Sequence, residues 1–536
     1  MIKQFFIGFI SLFCWNSITP LTMDCICIKK DVVHINKYAK PGDDITSILQ
    51  TLIDNHSTIV IDPGTWYISP GIKLRSNITI KGKSRESSIL KRNDFDARTE
   101  SGVLFKTDRS NLYVFKQMNP EDIFDESKVK YSNIHFENLT IDFNRNPLIY
   151  SKDQLSENNI FGIVFSHCRE CSIDNCCFLD CMNENSNNGC PAVAIFQSRD
   201  CNITDCYSEH VTFIKSVYSN SVTVSGNHCE NSVGTCIELT CGDVSLIEKN
   251  YVNGVYWDVS CVGINSTNSV IRNNIIHSAN NNTSCLTLGH RGYDHFSASG
   301  AVVMGNKLFA DGVRSVLIQN GSDIKISNNI LTCVLSEDSP TPTFGCIAAR
   351  GDDNSDIVIV GNEIKTTGDK IYGAITYVGP GKVYINKNKI NSKRGIFIHA
   401  STNEIIIQDN EVKSSDYSIC VSSPERIRIS DNKLTDGLLI RGGSNISIHK
   451  NLFSRTHNSS YIYDDWGLIS ISENTFDECL DIEQLFLINA EKKDSSFDSS
   501  NVSVLDNKIR KGPNTFVHFS KSGQVRQLRD IGVIEK

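Results

Sequence analysis

The chain has 536 residues, a net charge of −8 and a pI near 5.9. This acidic balance gives no reason to expect nucleic acid as a partner, because surfaces that bind nucleic acid cluster Lys and Arg, and no arginine-rich run interrupts the chain. Beyond the N-terminus no stretch is apolar over the length that a bilayer requires, so we expect no membrane span.

Residues 1–23 have the features of a secretory signal peptide. One lysine is followed by an apolar run and then by polar residues, and the run is short for a membrane span. We therefore expect a protein that is secreted, or located at the cell surface or in the periplasm. A buried N-terminal strand and lipoprotein processing at Cys14 or Cys25 are the alternatives.

Residues 24–125 are predicted to form an N-terminal cap and the first coils of a repeat structure. A strand is followed by an amphipathic helix, by a second strand at Thr58–Ile61 and by a turn that contains Pro63, Gly64, Trp66 and Tyr67. This order resembles the capping segment of the pectate-lyase-like superfamily, in which a short helix covers the open end of the first coil. The resemblance implies a parallel β-helix. It also implies carbohydrate-directed chemistry, since members include polysaccharide lyases, glycoside hydrolases, uronate epimerases and phage tailspike depolymerases.

Residues 126–520 contain a repeat in which an Asn stands between two short runs of alternating apolar residues. Successive Asn are 19 to 33 residues apart, at positions 227, 250, 274, 306, 329, 362, 388, 410, 432, 451, 474 and 507. β-Branched residues and period-two alternation indicate strands, and self-similarity at this period indicates a solenoid. Asn suits the position because it tolerates left-handed backbone and its amide can bond to the next Asn, about 4.8 Å along the axis.

The predicted fold is therefore all-β: a right-handed single-stranded parallel β-helix of about fifteen coils with an N-terminal helix cap. Residues 521–536 are predicted to be a C-terminal tail.

Many of the twenty cysteines share the register of the repeat. Cys171 and Cys201 occupy one position of successive coils, and Cys176 and Cys206 occupy the Asn position. Residues in register stack one coil apart, so we interpret these cysteines mainly as columns of small buried side chains. Disulfide bonds between some neighbours are an alternative. A metal site in the run 171–181 is the alternative.

Candidate chemistry lies where the coils lengthen, above all between Asn274 and Asn306. Aligned strands place one row inward (Ile237, Val262, Leu286, Val316 and Ile347). Two rows then face outward (Glu238, Gly263, Thr287, Leu317 and Ala348; then Thr240, Asn265, Gly289, Gln319 and Arg350). A polar outer face with small residues suits a sugar chain that lies across residues 227–362.

The residues that we expect to catalyse a reaction on this groove are Glu238, Asp258, His290, Arg291, Asp294, His295 and Arg350. Those that we expect to bind substrate are Trp257, Asn265, Thr287, Tyr293 and Gln319. Hydrolysis requires two carboxylates, and a partner for Glu238 would come from a loop. β-Elimination or epimerisation of a uronate requires a cation at the carboxylate and a base at the α-proton. The run Tyr293-Asp294-His295 resembles part of the mannuronan epimerase site but lacks its Pro and second Asp, and the polygalacturonase motif order is absent.

We expect no cofactor. Calcium is possible, but no clear acidic cluster supports it, so no metal ligand is assigned. The favoured prediction is a secreted β-helix protein that binds a polysaccharide and cleaves it as a lyase or a hydrolase. The alternatives are a phage tailspike or receptor-binding depolymerase, a uronate epimerase, and a surface or adhesion β-helix without catalysis. We expect a monomer, or a trimer if it is a tailspike.

Overall fold

The structure is a computed structural model of the full chain. It describes residues 31–93, 102–107, 124–145, 160–181, 191–232, 234–255, 260–279, 283–290, 296–312, 314–334, 345–351, 354–368, 371–399, 404–422, 424–488, 501–513, 515–519, 525–527 and 534–535.

Short strands wind into a right-handed parallel β-helix with three faces, and each strand pairs in parallel with the equivalent strand of the next coil. Three long strands, Tyr207–Val217, Leu438–His449 and Ser460–Ser472, each bend around a corner and contribute to two faces. The predicted fold class is therefore confirmed.

The first face contains parts of the last two long strands and the strands Val32–His34, Thr58–Ile61, Ile78–Gly82, Ile134–Glu137, Ser172–Asp174, Asn202–Thr204, Thr223–Ser225, Leu246–Glu248, Val270–Arg272, Val302–Met304, Lys325–Ser327, Ile357–Val360, Lys382–Asn386, Glu404–Gln408, Arg426–Ser430 and Val502–Leu505. The second face begins with the strand Gly64–Ile68 and includes part of Tyr207–Val217. Its other strands are Ser88–Arg92, Thr140–Arg145, Cys177–Cys181, His228–Ser232, Tyr251–Val255, Ile275–Ser278, Lys307–Asp311, Ile330–Val334, Glu363–Thr367, Lys389–Asn391, Glu411–Lys413, Lys433–Leu434, Leu452–Ser454, Thr475–Asp477, Lys508–Ile509 and Ile534–Glu535.

The third face contains parts of all three long strands and the strands Ile72–Lys73, Gly102–Lys106, Ile160–Ser166, Pro191–Phe196, Ile237–Asp243, Ser260–Thr267, Ser284–Leu288, Val316–Ile318, Ile347–Arg350, Ile375–Val378, Ile396–His399, Ile419–Ser422, Gln484–Ile488 and Thr515–Phe519. The strand Val525–Gln527 pairs antiparallel with Thr515–Phe519. Two short pairs lie outside the faces and join Tyr131–Ser132 to Cys168–Arg169 and Gly321–Ser322 to Asn354–Ser355.

The helix of the cap is Thr46–Asn55, and two short 3-10 helices are Ile35–Lys37 and Glu126–Lys128. Leu49, Leu52 and Ile53 of the long helix are buried in the same apolar core as the strands that follow. The predicted amphipathic helix and the predicted strand Thr58–Ile61 are both present. Among the described residues no helix is long and apolar enough to cross a membrane.

The Asn column lies at the corner between the first and second faces. The backbone N–H and the Nδ2 of Asn227 both donate to Oδ1 of Asn250, at 3.0 and 2.9 Å, and the same pair of bonds repeats up to Asn507. Each column Asn on this path is buried. Cys206 takes the position before Asn227, since its N–H donates to Oδ1 of Asn227 at 3.0 Å.

One reason given for Asn in this column is wrong. The left-handed residue is the one before each column Asn: Lys249, Asn273, Lys387 and Asp409 have φ between 54 and 56°, whereas the column Asn itself does not appear among the residues with positive φ. Asn is required at this position for its side-chain amide, which bonds to the neighbouring coil, rather than for tolerance of a left-handed backbone.

The cysteines that share the register are buried thiols. Ser172 is opposite Asn202 and Cys177 is opposite Tyr207, so Cys171 stacks on Cys201 and Cys176 on Cys206. All four of these cysteines are free thiols, and burial raises the pKa of the Cys206 thiol. Coil register therefore explains the spacing in the run 171–181, and no cluster of three or more metal-ligating side chains occurs among the described residues.

From the strand Ile134–Glu137 onward, two residues separate the strands at the corner that holds the Asn column, whereas the other two corners vary in length. Long connections separate second-face from third-face strands or third-face from first-face strands, at 146–159, 182–190, 289–301, 335–346 and 489–501. The third face is therefore the one that long connections border on both sides.

Candidate functional site

The third face is recessed over most of its length. The residues predicted to point inward in this part of the chain, such as Val262 and Leu286, are in the core, and the predicted register is present. Thr287, Leu317 and Ala348 lie outside the main core, between inward neighbours, yet all three are buried. Outward side chains at the same level of the second face, such as Phe309 and Ile330, are exposed. The outer side of the third face is therefore covered at these three residues and partly exposed at Glu238, Gln319 and Arg350, and we interpret it as the floor of a cleft.

A charged pair occupies this floor. Lys215 and Glu238 are opposite each other on adjacent strands, and Nζ of Lys215 lies 3.0 Å from Oε2 of Glu238. The hydroxyl of Thr240 donates to Oε1 of Glu238 at 3.2 Å. The Lys215 side chain is only 10% exposed and that of Glu238 25%. Burial, together with the Glu238 charge, raises the pKa of the nearby Cys241 thiol to about 12.

Gly263 leaves room beside this pair. It is opposite Glu238 on the next strand, and a Cβ atom added there would meet Ser260, Thr235 and Glu238 at 3.5 to 3.8 Å. These are ordinary van der Waals distances, so an alanine would fit without moving the backbone. A methyl group at this position would occupy the space beside Glu238.

Two arginines flank this part of the third face, at opposite ends of adjacent strands. Arg314 precedes Val316–Ile318, and Arg350 ends the strand Ile347–Arg350 of the next coil. Burial and the positive charge of Arg350 lower the pKa of Arg314. The Nε–H of Arg314 is buried without a hydrogen-bond partner among the described residues.

Two hydroxyl groups of the preceding coil are also buried without a hydrogen-bond partner among the described residues. Oγ of Ser284 and Oγ1 of Thr287 are buried, and neither has a hydrogen-bond partner in the described part of the chain. A buried polar group without a partner costs free energy, so such groups mark sites that a ligand or water completes. This part of the cleft offers donors and positive charge.

The other predicted residues lie around this floor. Asn265 is opposite Thr240, in the second outward row. Gln319 follows Ile318 and is half-buried, and its N–H donates to the carbonyl oxygen of Leu288. His290 is exposed just beyond the strand Ser284–Leu288, with its ring edge-to-face with that of Phe296. Six predicted residues lie outside the described residues: Trp257, Asp258, Arg291, Tyr293, Asp294 and His295.

The predicted residues form an extended row rather than one compact site. Glu238, Gly263, Thr287, Leu317 and Ala348 follow one another on five successive strands. At about 4.8 Å per coil, the first and last of them are roughly 19 Å apart. Glu238 and Arg350 therefore cannot act on the same sugar unit, although both can contact one polysaccharide chain.

Sequence reasoning missed Lys215 and Arg314. The aligned rows began at Glu238, and extending them back by one coil would have found Lys215 in register. Arg314 precedes its strand at a corner, where alternation no longer predicts the direction of a side chain. A further pair that was missed, Asp180 and His210, lies at the corner between the second and third faces, 3.2 Å apart. Burial raises the pKa of Asp180, while its bond to His210 opposes that rise.

A pocket of about 570 Å³ lies elsewhere, beside the cap helix. Its polar groups are satisfied internally, because Asp44 accepts hydrogen bonds from Thr46 and Asn93, and Gln50 bonds to the backbone of Lys73. It is a junction between the cap and the first coils, and we assign it no function.

Residues 373–527 match the family described as a right handed beta helix region. Among solved structures, the chain is similar to the A-module of a mannuronan C-5 epimerase from Azotobacter vinelandii, with 13% identity, a TM-score of 0.39, and coverage of 77% of this chain and 96% of that one. It is also similar to the Dettilon tailspike protein, with 12% identity, a TM-score of 0.49, and coverage of 69% and 68%. A surface protein and adhesin of Streptococcus pneumoniae matches with 12% identity, a TM-score of 0.35, and coverage of 91% and 100%. No curated protein matches the sequence.

The strand ladder and the family match place the chain in one class: it is a right-handed parallel β-helix protein. The resemblance inferred from the sequence is confirmed at this level, and no particular member of the class is identified.

Proposed function

We propose that this protein binds an acidic polysaccharide along the third face and cleaves it at Glu238. The observation that carries the proposal is the buried Nε–H of Arg314, which has no hydrogen-bond partner among the described residues and is close enough to Arg350 for the charge of Arg350 to lower its pKa. A carboxylate accepts two parallel bonds from a guanidinium, and such charge-assisted bonds are the strong ones. An anionic group could accept the Nε–H of Arg314, and the positive charge of Arg350 would favour its binding.

The shape of the cleft fits a polymer better than a small molecule. Polar and charged groups recur along the axis from Lys215 to Arg350, one coil after another. Each coil advances by about 4.8 Å, which is close to the length that one pyranose unit adds to a glycan. A chain of about five sugar units would span this part of the face.

Glu238 is the group that we assign to proton transfer. Lys215 holds its carboxylate in place, and Thr240 fixes its second oxygen. An ionised carboxylate can remove the proton next to a uronate carboxyl group in an elimination, or activate water in a hydrolysis. When a sugar carboxylate arrives, Lys215 can turn to it and release Glu238 as a base.

Binding is tested by affinity electrophoresis in gels that contain polygalacturonate, alginate or hyaluronan, with dextran and xylan as uncharged polymers. The acidic polymers should retard the protein and the uncharged ones should not. Arg350→Ala should weaken retention about tenfold. Arg428→Ala removes an exposed arginine from the first face and serves as the matched control. Retention by none of the polymers, or equal loss in both variants, overturns the proposal.

Cleavage is tested by following the ultraviolet absorbance of unsaturated uronate together with new reducing ends. Both signals indicate elimination, whereas reducing ends alone indicate hydrolysis. Glu238→Gln should abolish cleavage and retain binding. Gly263→Ala should preserve the melting curve and impair both, because its methyl group enters the space beside Glu238. Undiminished cleavage by Glu238→Gln removes that residue from the mechanism.

Export, and the choice between a monomer and a trimer, remain predictions. Size-exclusion chromatography with light scattering addresses the oligomeric state. N-terminal sequencing of the mature protein addresses the expected loss of residues 1–23.

A further inference from the structure

The third face changes character beyond Arg350. The outward row continues through Thr376, Phe397, Cys420, Leu439 and Tyr461 on five successive strands. Charged groups give way here to aromatic and apolar ones. The aromatic members of this region, which we call the aromatic strip, are Tyr372, Phe397, Tyr417, Tyr461 and Tyr463.

The rings of the aromatic strip do not belong to the core. All five are half-buried, and none is part of the main apolar cluster. Tyr372 packs on Phe397 with ring centroids 5.7 Å apart, and Tyr417 packs edge-on against Tyr461 at 6.4 Å. Phe397 and Tyr461 belong to the outward row, Tyr372 and Tyr417 pack on them from one edge of the face, and Tyr463 lies in the next row. Partly exposed rings gathered on one face of a sheet mark a candidate binding surface.

The backbone makes room for one of these rings. Gly373 lies against Phe397, and a Cβ atom at Gly373 would be 2.8 Å from the Cβ of Phe397. The Phe397 side chain can therefore lie close over the preceding coil. This close approach fixes the position of the ring on the outside of the face, where it contributes nothing to the core.

Polar groups border the strip on both sides. Arg394 and Asp416 form an ion pair at 2.5 Å beside Tyr417. On the other side His399 contacts the Ser422 hydroxyl at 2.5 Å, and the Arg441 guanidinium lies 5.4 Å from the centre of the Tyr463 ring. Burial, with the neighbouring Tyr461 and Asp416, raises the pKa of Tyr417 to about 12, so its hydroxyl remains a donor at neutral pH.

We propose that the aromatic strip is a second glycan-binding region, which holds the sugar units of a long polysaccharide beyond those bound between Lys215 and Arg350. The inference rests on the proposed function of the same face. Aromatic rings bind the apolar C–H faces of sugars, while the polar borders bind their hydroxyls.

A glycan fits this strip better than another protein chain. The strip runs along the axis and continues the outward row of the cleft floor from Ala348 to Thr376. A polymer lying in the cleft reaches the strip without turning. Stable protein interfaces are instead broad patches of about 800 Å² on each partner.

The test compares long and short ligands on the full chain. The acidic polymer that retards the wild-type protein most is used intact and as oligosaccharides of about five units, enough for the part from Lys215 to Arg350 at ~4.8 Å per coil. Phe397→Ala and Tyr461→Ala should each weaken binding of the intact polymer about tenfold and leave binding of the oligosaccharide unchanged. Tyr384→Ala, which removes a half-buried tyrosine from the first face, is the matched control and should change neither.

Each result separates the two proposals. If the wild-type protein binds no glycan, the proposed function fails and the strip proposal falls with it. If the intact polymer binds equally well to all variants with wild-type melting curves, the strip proposal alone is wrong. If Phe397→Ala or Tyr461→Ala changes the sedimentation coefficient instead of glycan affinity, the strip is a contact between copies of this chain and the proposal is again wrong.

Discussion

A Cβ atom at Gly289 would lie 1.9 Å from the carbonyl oxygen of Asn320. Gly289 follows the third-face strand Ser284–Leu288 with φ of 70° and begins the connection to the strand Val302–Met304. Two coils therefore touch here through backbone alone, at the point where the connection leaves the third face.

The first prediction concerns this contact. Gly289→Ala should lower the free energy of unfolding by about 2 kcal/mol or more, because it adds both a steric overlap and an unfavourable φ. Chemical denaturation followed by circular dichroism measures the loss. Gly263→Ala is the control: it introduces no close contact and should be close to neutral. Equal stability of the two variants would contradict the contact at Asn320.

At Val244, by contrast, a substitution should stabilise the fold. It is a β-branched residue with φ of 51°, at a corner where the neighbouring coils have Ser221 and Asn268 in the same conformation, and it is 57% exposed. Val244→Asn should therefore raise the free energy of unfolding by about 1 kcal/mol, since Asn tolerates left-handed backbone and little burial is lost. Val270→Asn, in the first-face strand Val270–Arg272, should give no such gain. Denaturation midpoints compare the two.

The Asn column makes a third prediction. Asn274→Ala removes the acceptor of two bonds from Asn250 and the donor to the carbonyl of Ile247. These groups are buried, so the loss should be about 2–3 kcal/mol. Hydrogen exchange should also accelerate in the coils on either side. Asn202→Ala, at an exposed first-face position, should have little effect on either measurement.

The buried carboxyl group of Asp436 predicts a pH dependence. Burial raises its pKa although Gly437 and Asn458 donate hydrogen bonds to it. The folded state therefore holds this proton more tightly than the unfolded state. The stabilisation is complete below the ordinary pKa of an aspartate and is lost as the pH rises through the raised value. Asp436→Asn should flatten the dependence of the melting temperature on pH in that window. If the melting temperature of Asp436→Asn changed with pH as steeply as that of the wild type, the Asp436 carboxyl group would not contribute to this dependence.

The core thiols give a fifth prediction. Cys206, Cys236, Cys285 and Cys346 are buried, and burial raises the pKa of each thiol. Because the thiolate is the reactive form, none should react with iodoacetamide at neutral pH until the protein is unfolded. Mass spectrometry of peptides labelled before and after denaturation measures this. Disulfide-linked peptides from these positions would contradict the columns of free thiols.

The sequence predicted the scaffold because each coil repeats the same physical requirement. The amides of residues such as Asn250 and Asn274 must bond to each other, and this requirement is visible as spacing. Counting from the column also predicted which residues share a row, including Glu238 and Thr287. Fifteen second-face strands are described between residues 126 and 520, the number of coils expected there.

The site was less predictable because it depends on residues that the repeat does not control. Arg314 lies at a corner, where no alternation predicts the direction of its side chain. Lys215 belongs to a strand that bends through the corner without a break, which hid its register. The burial of Thr287 and Ala348 depends on what surrounds the third face, and strand spacing carries no information about that.

Because the Asn corner has a constant length, changes at the other two corners are separated from changes in the core. Residues can be added or exchanged at the corners that border the third face, at 182–190 or 335–346 for example, while the Asn column keeps every coil in register. Ligand preference can therefore diverge through the exchange of whole border segments, with no compensating substitutions in the core. The architecture lends itself to recombination: grafting one such segment from another β-helix should transfer specificity without refolding the scaffold.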